Sequence, residues 1–123
     1  MNLIRRRKIL KRTNALDLVP VRVVGHAVEQ GKVVLLVPKF KSKFIHRLFP
    51  LTEQMFFRIR LDDNGTRVWN EINGEFSNWQ LVLRISDSGK TNEEFQDTQD
   101  RFLKFISLLY EREYISFRQL LIK

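Results

Sequence analysis

Met55-Phe56-Phe57-Arg58-Ile59-Arg60-Leu61-Asp62-Asp63-Asn64-Gly65-Thr66-Arg67-Val68-Trp69-Asn70-Glu71-Ile72-Asn73-Gly74 changes its hydrophobic period half-way along, and that change decides the fold class. From 55 to 61 apolar and polar side chains alternate as in a half-buried strand. Phe57, Ile59 and Leu61 share one face, expected inside; Phe56, Arg58 and Arg60 share the other, expected exposed. From Asp62 the period becomes helical. Asp62-Asp63 supply an N-cap whose negative charge suits a helix N-terminus, Val68, Trp69 and Ile72 fall on one helical face, and Gly74 ends the helix.

Upstream, residues 21–28 read as a strand with Val21, Val23 and Ala27 or Val28 inward. Glu29-Gln30-Gly31 reads as a turn with glycine at positive φ, and Lys32 to Val37 as a second strand stopped by Pro38, so the two are expected to form a hairpin. Downstream, Ser77 is expected to cap a second helix with Leu81, Val82 and Ile85 inward. After the loop Asp87-Ser88-Gly89-Lys90, Thr91 or Asn92 caps a third helix running to about Arg112, with Phe95, Phe102, Ile106, Leu109 and Tyr110 in one stripe. Tyr114-Ile115-Ser116-Phe117 closes the chain as a short extended segment. Strands followed by helices mean α+β. The expected architecture is winged helix-turn-helix-like: a three-stranded N-terminal sheet, three helices and a short C-terminal strand.

The length of 123 residues, 43% of them hydrophobic, fits a single domain over 15–123 preceded by a basic arm over 1–14. In that arm Ile4, Ile9 and Leu10 suit a short amphipathic helix or a segment lying against the domain. No apolar run approaches the roughly 20 residues of a membrane span, and no apolar region follows Arg5-Arg6-Arg7-Lys8 as a secretory signal requires. The chain has no cysteine, which excludes disulfides, thiolate catalysis and cysteine-ligated metals; a cytoplasmic protein is expected. The net charge of +8 is unevenly placed: residues 1–60 hold 14 Lys/Arg against 3 Asp/Glu, residues 61–123 hold 8 against 11. An acidic partner for the first half (nucleic acid, anionic lipid or acidic peptide) is one reading, and a solvated basic tail is the other.

Residues 38–54 read as an insertion, partly helical around Phe44 to Leu48. Lys39, Lys41, Lys43 and Arg47 interleave there with Phe40, Phe44 and Phe49, a composition able to stack on single-stranded nucleic acid. The prolines and the irregular spacing give no repeated platform, which favours a loop whose Phe side chains enter the core. Catalytic signals are missing. His26 and His46 lie in different elements without ligand spacing to each other or to a carboxylate, Asn64-Gly65 lacks the longer glycine pattern of a phosphate loop, and no Ser/His/Asp arrangement can be argued. A binding module without enzyme activity and without a cofactor is expected.

The segment Leu61 to Gly74, together with the helices and tail after it, resembles the PqqD family. That family's pattern is a strand ending in Leu-Asp/Asn, a helix carrying an aromatic or aliphatic pair, then Asp-Gly, a Ser/Thr-capped helix, and a long helix with a Phe-Leu-x-x-Leu-like stretch before an aromatic-Ile tail. Here the later pieces are Ser77 with Leu81 and Ile85, Phe105-Ile106-Ser107-Leu108-Leu109, and Tyr114-Ile115-Ser116-Phe117. The resemblance covers about residues 55–118. Asn73 stands where the family usually has Asp, and Glu113 where a glycine is common. The resemblance implies a peptide chaperone without catalytic residues, which presents the leader of a ribosomally made precursor peptide to a radical S-adenosylmethionine-type modifying enzyme. It also implies binding by strand addition at a sheet edge beside the third helix. The residues expected to carry it are Phe56, Arg58 and Arg60 on the strand, and Arg101, Phe105, Leu108 and Arg112 on the helix. The last four form a stripe spaced i, i+4, i+7, i+11, apolar in the middle and cationic at both ends; a broad core stripe would also take in Phe105 and Leu108.

Two other functions fit the sequence. A winged helix of this charge invites nucleic-acid binding through the basic N-terminal half. Specific DNA binding is not expected, because the third helix and its end carry Glu93, Glu94, Asp97, Asp100, Glu111 and Glu113 against Arg101, Lys104 and Arg112. The second alternative is a structural subunit of an enzyme complex.

Overall fold

The computed structural model describes residues 3–12, 14–39, 56–86 and 91–121. Most of the insertion expected at 38–54 and the loop expected at 87–90 lie outside the described residues. The fold is α+β, with a three-stranded antiparallel sheet, helices and a short C-terminal strand in the expected order. The chain divides into two compact units, one of residues 1–23 and 67–123, the other of residues 24–66.

The second unit is the sheet. Strands β2 (Gly25–Glu29), β3 (Lys32–Pro38) and β4 (Phe56–Arg60) lie in the order β2-β3-β4. The β2–β3 turn has positive φ at both central residues, +52° at Gln30 and +77° at Gly31. This conformation matches the strand twist of a two-residue hairpin, and glycine satisfies its second position without strain. Val33, Val34 and Leu35 of the central strand are all buried. The sheet ends where the sequence turns helical. Leu61 N–H donates to Val33 O at 2.9 Å, and Val33 N–H donates to Thr66 Oγ1 at 3.0 Å. Thr66 lies in the first turn of α2 (Asp63–Glu71), whose start is capped by Asp62: its Oδ1 accepts from Gly65 N–H at 2.7 Å.

The first unit holds the remaining elements: α1 (Leu3–Arg12), β1 (Pro20–Arg22), the end of α2, α3 (Asn78–Ile85), α4 (Asn92–Glu111), β5 (Ile115–Phe117) and α5 (Arg118–Leu121). Its buried residues include most of those the helical periodicity marks, while Ile85, Phe95 and Tyr110, expected inward as well, are half-buried. Val68, Trp69 and Ile72 after the start of α2, Leu81 and Val82 of α3, and Phe102, Ile106 and Leu109 of α4 are each under a tenth exposed. Ser77 and Gln80 form a reciprocal capping box on α3, and Thr91 caps α4. Asn73 accepts from the backbone N–H groups of Glu75 and Phe76 at 2.9 and 3.0 Å, and Gly74 follows at φ +79°. Arg22 lies against α2, its guanidinium 5.3 Å from the Trp69 ring centroid and donating to the Trp69 carbonyl; burial pushes its pKa down. The expected basic arm is helix α1, which packs on α5 and is pinned by Arg6 to the Tyr110 hydroxyl and ring.

Two expectations are corrected. The strand expected over 21–28 is broken at Val23-Val24. Its first part is β1, which pairs antiparallel with β5, Val21 opposite Ser116, and its second part is β2. Val23 N–H donates to Tyr114 O at 3.0 Å, so the break is made by pairing with a segment some ninety residues away. Val23 and Val28, both weighed as inward, are 58% and 64% exposed. The face of β4 expected inside is also largely outside: Leu61 is buried at 8%, whereas Phe57 is 55% and Ile59 37% exposed.

The Thr66 hydroxyl is the partner of a buried backbone donor. Thr66→Val keeps the shape and removes the acceptor, and should lower the unfolding free energy by about 1–3 kcal/mol. Thr66→Ser should retain most of the stability; urea unfolding of the two variants checks this.

Candidate functional site

The seven residues singled out from the sequence fall into two groups, one in each unit. Phe56, Arg58 and Arg60 belong to β4, which has a sheet neighbour on one side only among the described residues. The register pairs Leu35 with Ile59, Leu36 with Arg58 and Val37 with Phe57. The bond from Leu61 to Val33 sets the phase of the ladder. Hydrogen-bonded and non-hydrogen-bonded pairs alternate in an antiparallel ladder. Phe57 and Ile59 therefore turn their backbone groups to β3, and Phe56, Arg58 and Arg60 turn theirs to the open edge. Pro38, which has no N–H, stands opposite Phe56 at a position where none is needed.

The side chains of β4 sort onto the two sheet faces. Arg58 is ion-paired with Glu29 of β2, and Arg60 donates to Gln30 Oε1 at 3.0 Å, so both reach across the sheet on one face. The opposite face carries Phe57 and Ile59, with Val28 of β2, as exposed apolar groups, and Lys39 Nζ lies 5.3 Å from the Phe57 ring centroid. Sequence reasoning missed Phe57 and Ile59 as candidates. Alternation assigned them correctly to one face, but no sequence signal said that this face, buried at Val33, Leu35 and Leu61, is left exposed at Phe57 and Ile59.

In the other unit, Arg101, Phe105, Leu108 and Arg112 line one flank of α4. Phe105 is half-buried and Leu108 is 45% exposed, so the stripe is distinct from the core stripe of Phe102, Ile106 and Leu109. Arg101 is exposed and pairs with Asp97 one turn earlier, at 3.1 Å. Pairs of this kind contribute at most about 0.5 kcal/mol and yield easily to a competing anion. Leu108 also borders an open groove of about 500 Å³ lined with Leu103, Lys104, Ser107 and Glu111.

Arg112 is the C-cap of α4, and the turn after it holds it in place. Tyr114 N–H donates to Leu109 O and Glu113 N–H to Tyr110 O, both at 2.9 Å, the paired bonds of a Schellman motif. Glu113 sits at φ +65°, the left-handed position where glycine is favoured. The turn thus keeps the backbone shape that a glycine would give, with a side chain that strains it.

Among the described residues no group of three or more His, Asp or Glu side chains could hold a metal ion, and no helix is long and apolar enough to cross a membrane. Comparisons of the chain with protein-family models, curated proteins and solved structures return no match.

The left-handed conformation costs a non-glycine residue roughly 1–2 kcal/mol, against which glycine's extra chain entropy sets about 0.5–1 kcal/mol. Glu113→Gly should therefore raise stability by about 0.5–1 kcal/mol, read as a rise of a few degrees in Tm by calorimetry.

Proposed function

We propose that this protein is a peptide-binding module that captures an extended segment of a precursor peptide by adding it as a strand to the open edge of β4, and hands it to a modifying enzyme. The observation that carries the reading is that β4 is an edge strand among the described residues and is exposed from Phe57 to Arg60. Its outward backbone groups at Phe56, Arg58 and Arg60 form a hydrogen-bonding template for a fourth strand. Exposed edges of this kind invite pairing, and charged residues such as Arg58 and Arg60 are a common guard against indiscriminate partners. In strand addition the main chain supplies affinity and alternate side chains supply register. Phe57 and Ile59 offer apolar contact on one face of an added strand, and Arg58 and Arg60 offer charge on the other. An acidic peptide with apolar residues at every second position fits both.

The resemblance of residues 55–118 to PqqD supports the same reading from the sequence side, with a radical S-adenosylmethionine-type enzyme as the expected recipient. The Arg101, Phe105, Leu108 and Arg112 flank of α4, in the other unit, is proposed as a contact surface in its own right, with Phe105 and Leu108 as apolar anchors between two cations.

The backbone phase gives a test that separates strand addition from simple charge attraction. Arg60→Pro removes one outward N–H and no bond to β3, whereas Arg60→Ala removes only the side chain. Tagged protein is recovered from its native cells at about 0.3 M salt, where loose electrostatic contacts are screened, and bound peptides are identified by mass spectrometry. The wild type should retain a peptide, Arg60→Ala should retain less, and Arg60→Pro should lose it with its circular dichroism unchanged. Equal recovery by Arg60→Pro, or no peptide with the wild type, would contradict the proposal.

A further inference from the structure

Helix α1, Leu3–Arg12, has the sequence LIRRRKILKR, with six cations and no acid. Its less exposed side is committed to its own unit. Ile9 and Leu10 are half-buried, and Arg6 is held by Tyr110, whose hydroxyl accepts from Arg6 Nε at 3.1 Å while the guanidinium lies 5.2 Å from the ring centroid. The opposite side is open: Arg5, Arg7 and Lys8 are exposed, and Ile4, 68% exposed, is the one apolar side chain among them. Arg7 and Lys8 make no hydrogen bond or ion pair among the described residues. The helix packs on α5, which carries the exposed Arg118.

Charge is polarised along this unit. The cationic helix is anchored at Tyr110, near the C-terminus of α4, whereas Glu93, Glu94, Asp97 and Asp100 stand in its first half. Asp100 and Tyr110 are separated by roughly 15 Å of helix, and Glu94 and Tyr110 by roughly 24 Å. With a Debye length of about 8–10 Å at physiological salt, the acidic end offsets the field at α1 only weakly. Glu111 and Glu113 bound the cationic surface on the α4 side, beside Tyr110.

We infer that the outward face of α1 binds the phosphate backbone of nucleic acid without sequence preference. Clustered cations on one helix, with no acid in the same element, match a polymer of closely spaced anions. α1 carries no Asn or Gln to read adenine and no acid to read cytosine, and its Arg and Lys side chains, which can also pair with guanine, are assigned here to phosphates. A membrane surface is the poorer fit. An interfacial helix buries its apolar face in lipid, and here the half-buried Ile9 and Leu10 face the protein, leaving Ile4 as the one exposed apolar side chain of α1 among the described residues. The inference stands on α1 and is independent of the peptide reading of β4.

The test measures fluorescence anisotropy of labelled 20-nucleotide single strands of DNA and RNA, and of a DNA duplex, each in two unrelated sequences. The wild type should bind both sequences within about twofold, with affinity falling steeply with salt, the log–log slope being near −2 for three contacts on a single strand. Arg7→Glu/Lys8→Glu should weaken binding about tenfold or more at low salt. The milder Arg7→Gln/Lys8→Gln, which keeps helix propensity, should reduce the slope by about 1.4. Helical circular dichroism confirms that both variants fold. Wild-type-like affinity in the glutamine variant, strong preference for one sequence, or binding to vesicles with 30% phosphatidylserine in place of nucleic acid would each overturn the inference.

Discussion

The bond from Val33 N–H to the hydroxyl of Thr66, with the neighbouring bond from Leu61 N–H to Val33 O, fixes the register on which the rest of the sheet depends. Strand faces alternate with a period of two, so a slip of one residue would exchange Phe57 and Ile59 for Arg58 and Arg60 on every face. It would also reverse which backbone groups of β4 turn to the open edge. A strand slips easily when nothing at its ends distinguishes one register from the next. Here the end is tied to a helix start: Asp62 caps Gly65 while Thr66, one residue on, completes the ladder at a buried backbone donor. The same six residues end the strand, begin the helix and set the phase of the edge.

Much of the fold was legible where its constraints are local in sequence. The change of period at 61–62, the caps at Asp62, Ser77 and Thr91, and the stripes of α2, α3 and α4 all rest on residues within a few positions of one another. What was not legible depends on distant segments. Gly25 is the one local sign of an interruption between Pro20 and Glu29; the partner that takes the first half into a separate ribbon is Tyr114 to Phe117. In that ribbon Gln119 adds a side-chain clasp, its Oε1 accepting from Val19 N–H at 3.1 Å and its Nε2 donating to Asp17 O at 2.8 Å. No periodicity reaches across a hundred residues to mark such a clasp.

The candidate site shows the same division. Alternation placed Phe56, Arg58 and Arg60 together, and helical spacing placed Arg101, Phe105, Leu108 and Arg112 together, because both are properties of one element. Coverage is not such a property. Phe57 and Ile59 look like core residues from their pattern, yet stand open to solvent. Glu113 gives the opposite lesson: the residue departs from the glycine expected there, while the backbone keeps the left-handed turn because two hydrogen bonds at the end of α4 hold it. The turn is set by the bonding pattern at the helix end, and the side chain is accommodated at a cost.

The proposed function requires that the outward backbone groups of β4 receive another strand. Residue-by-residue amide hydrogen exchange, followed by NMR, reads those groups individually. In the free protein the amides of Phe57 and Ile59, bonded to β3, should exchange slowly, and those of Arg58 and Arg60 quickly. With the captured peptide bound, Arg58 and Arg60 should become protected while Phe57 and Ile59 change little. Arg58 and Arg60 amides that stay unprotected in the peptide complex would contradict strand addition at this edge.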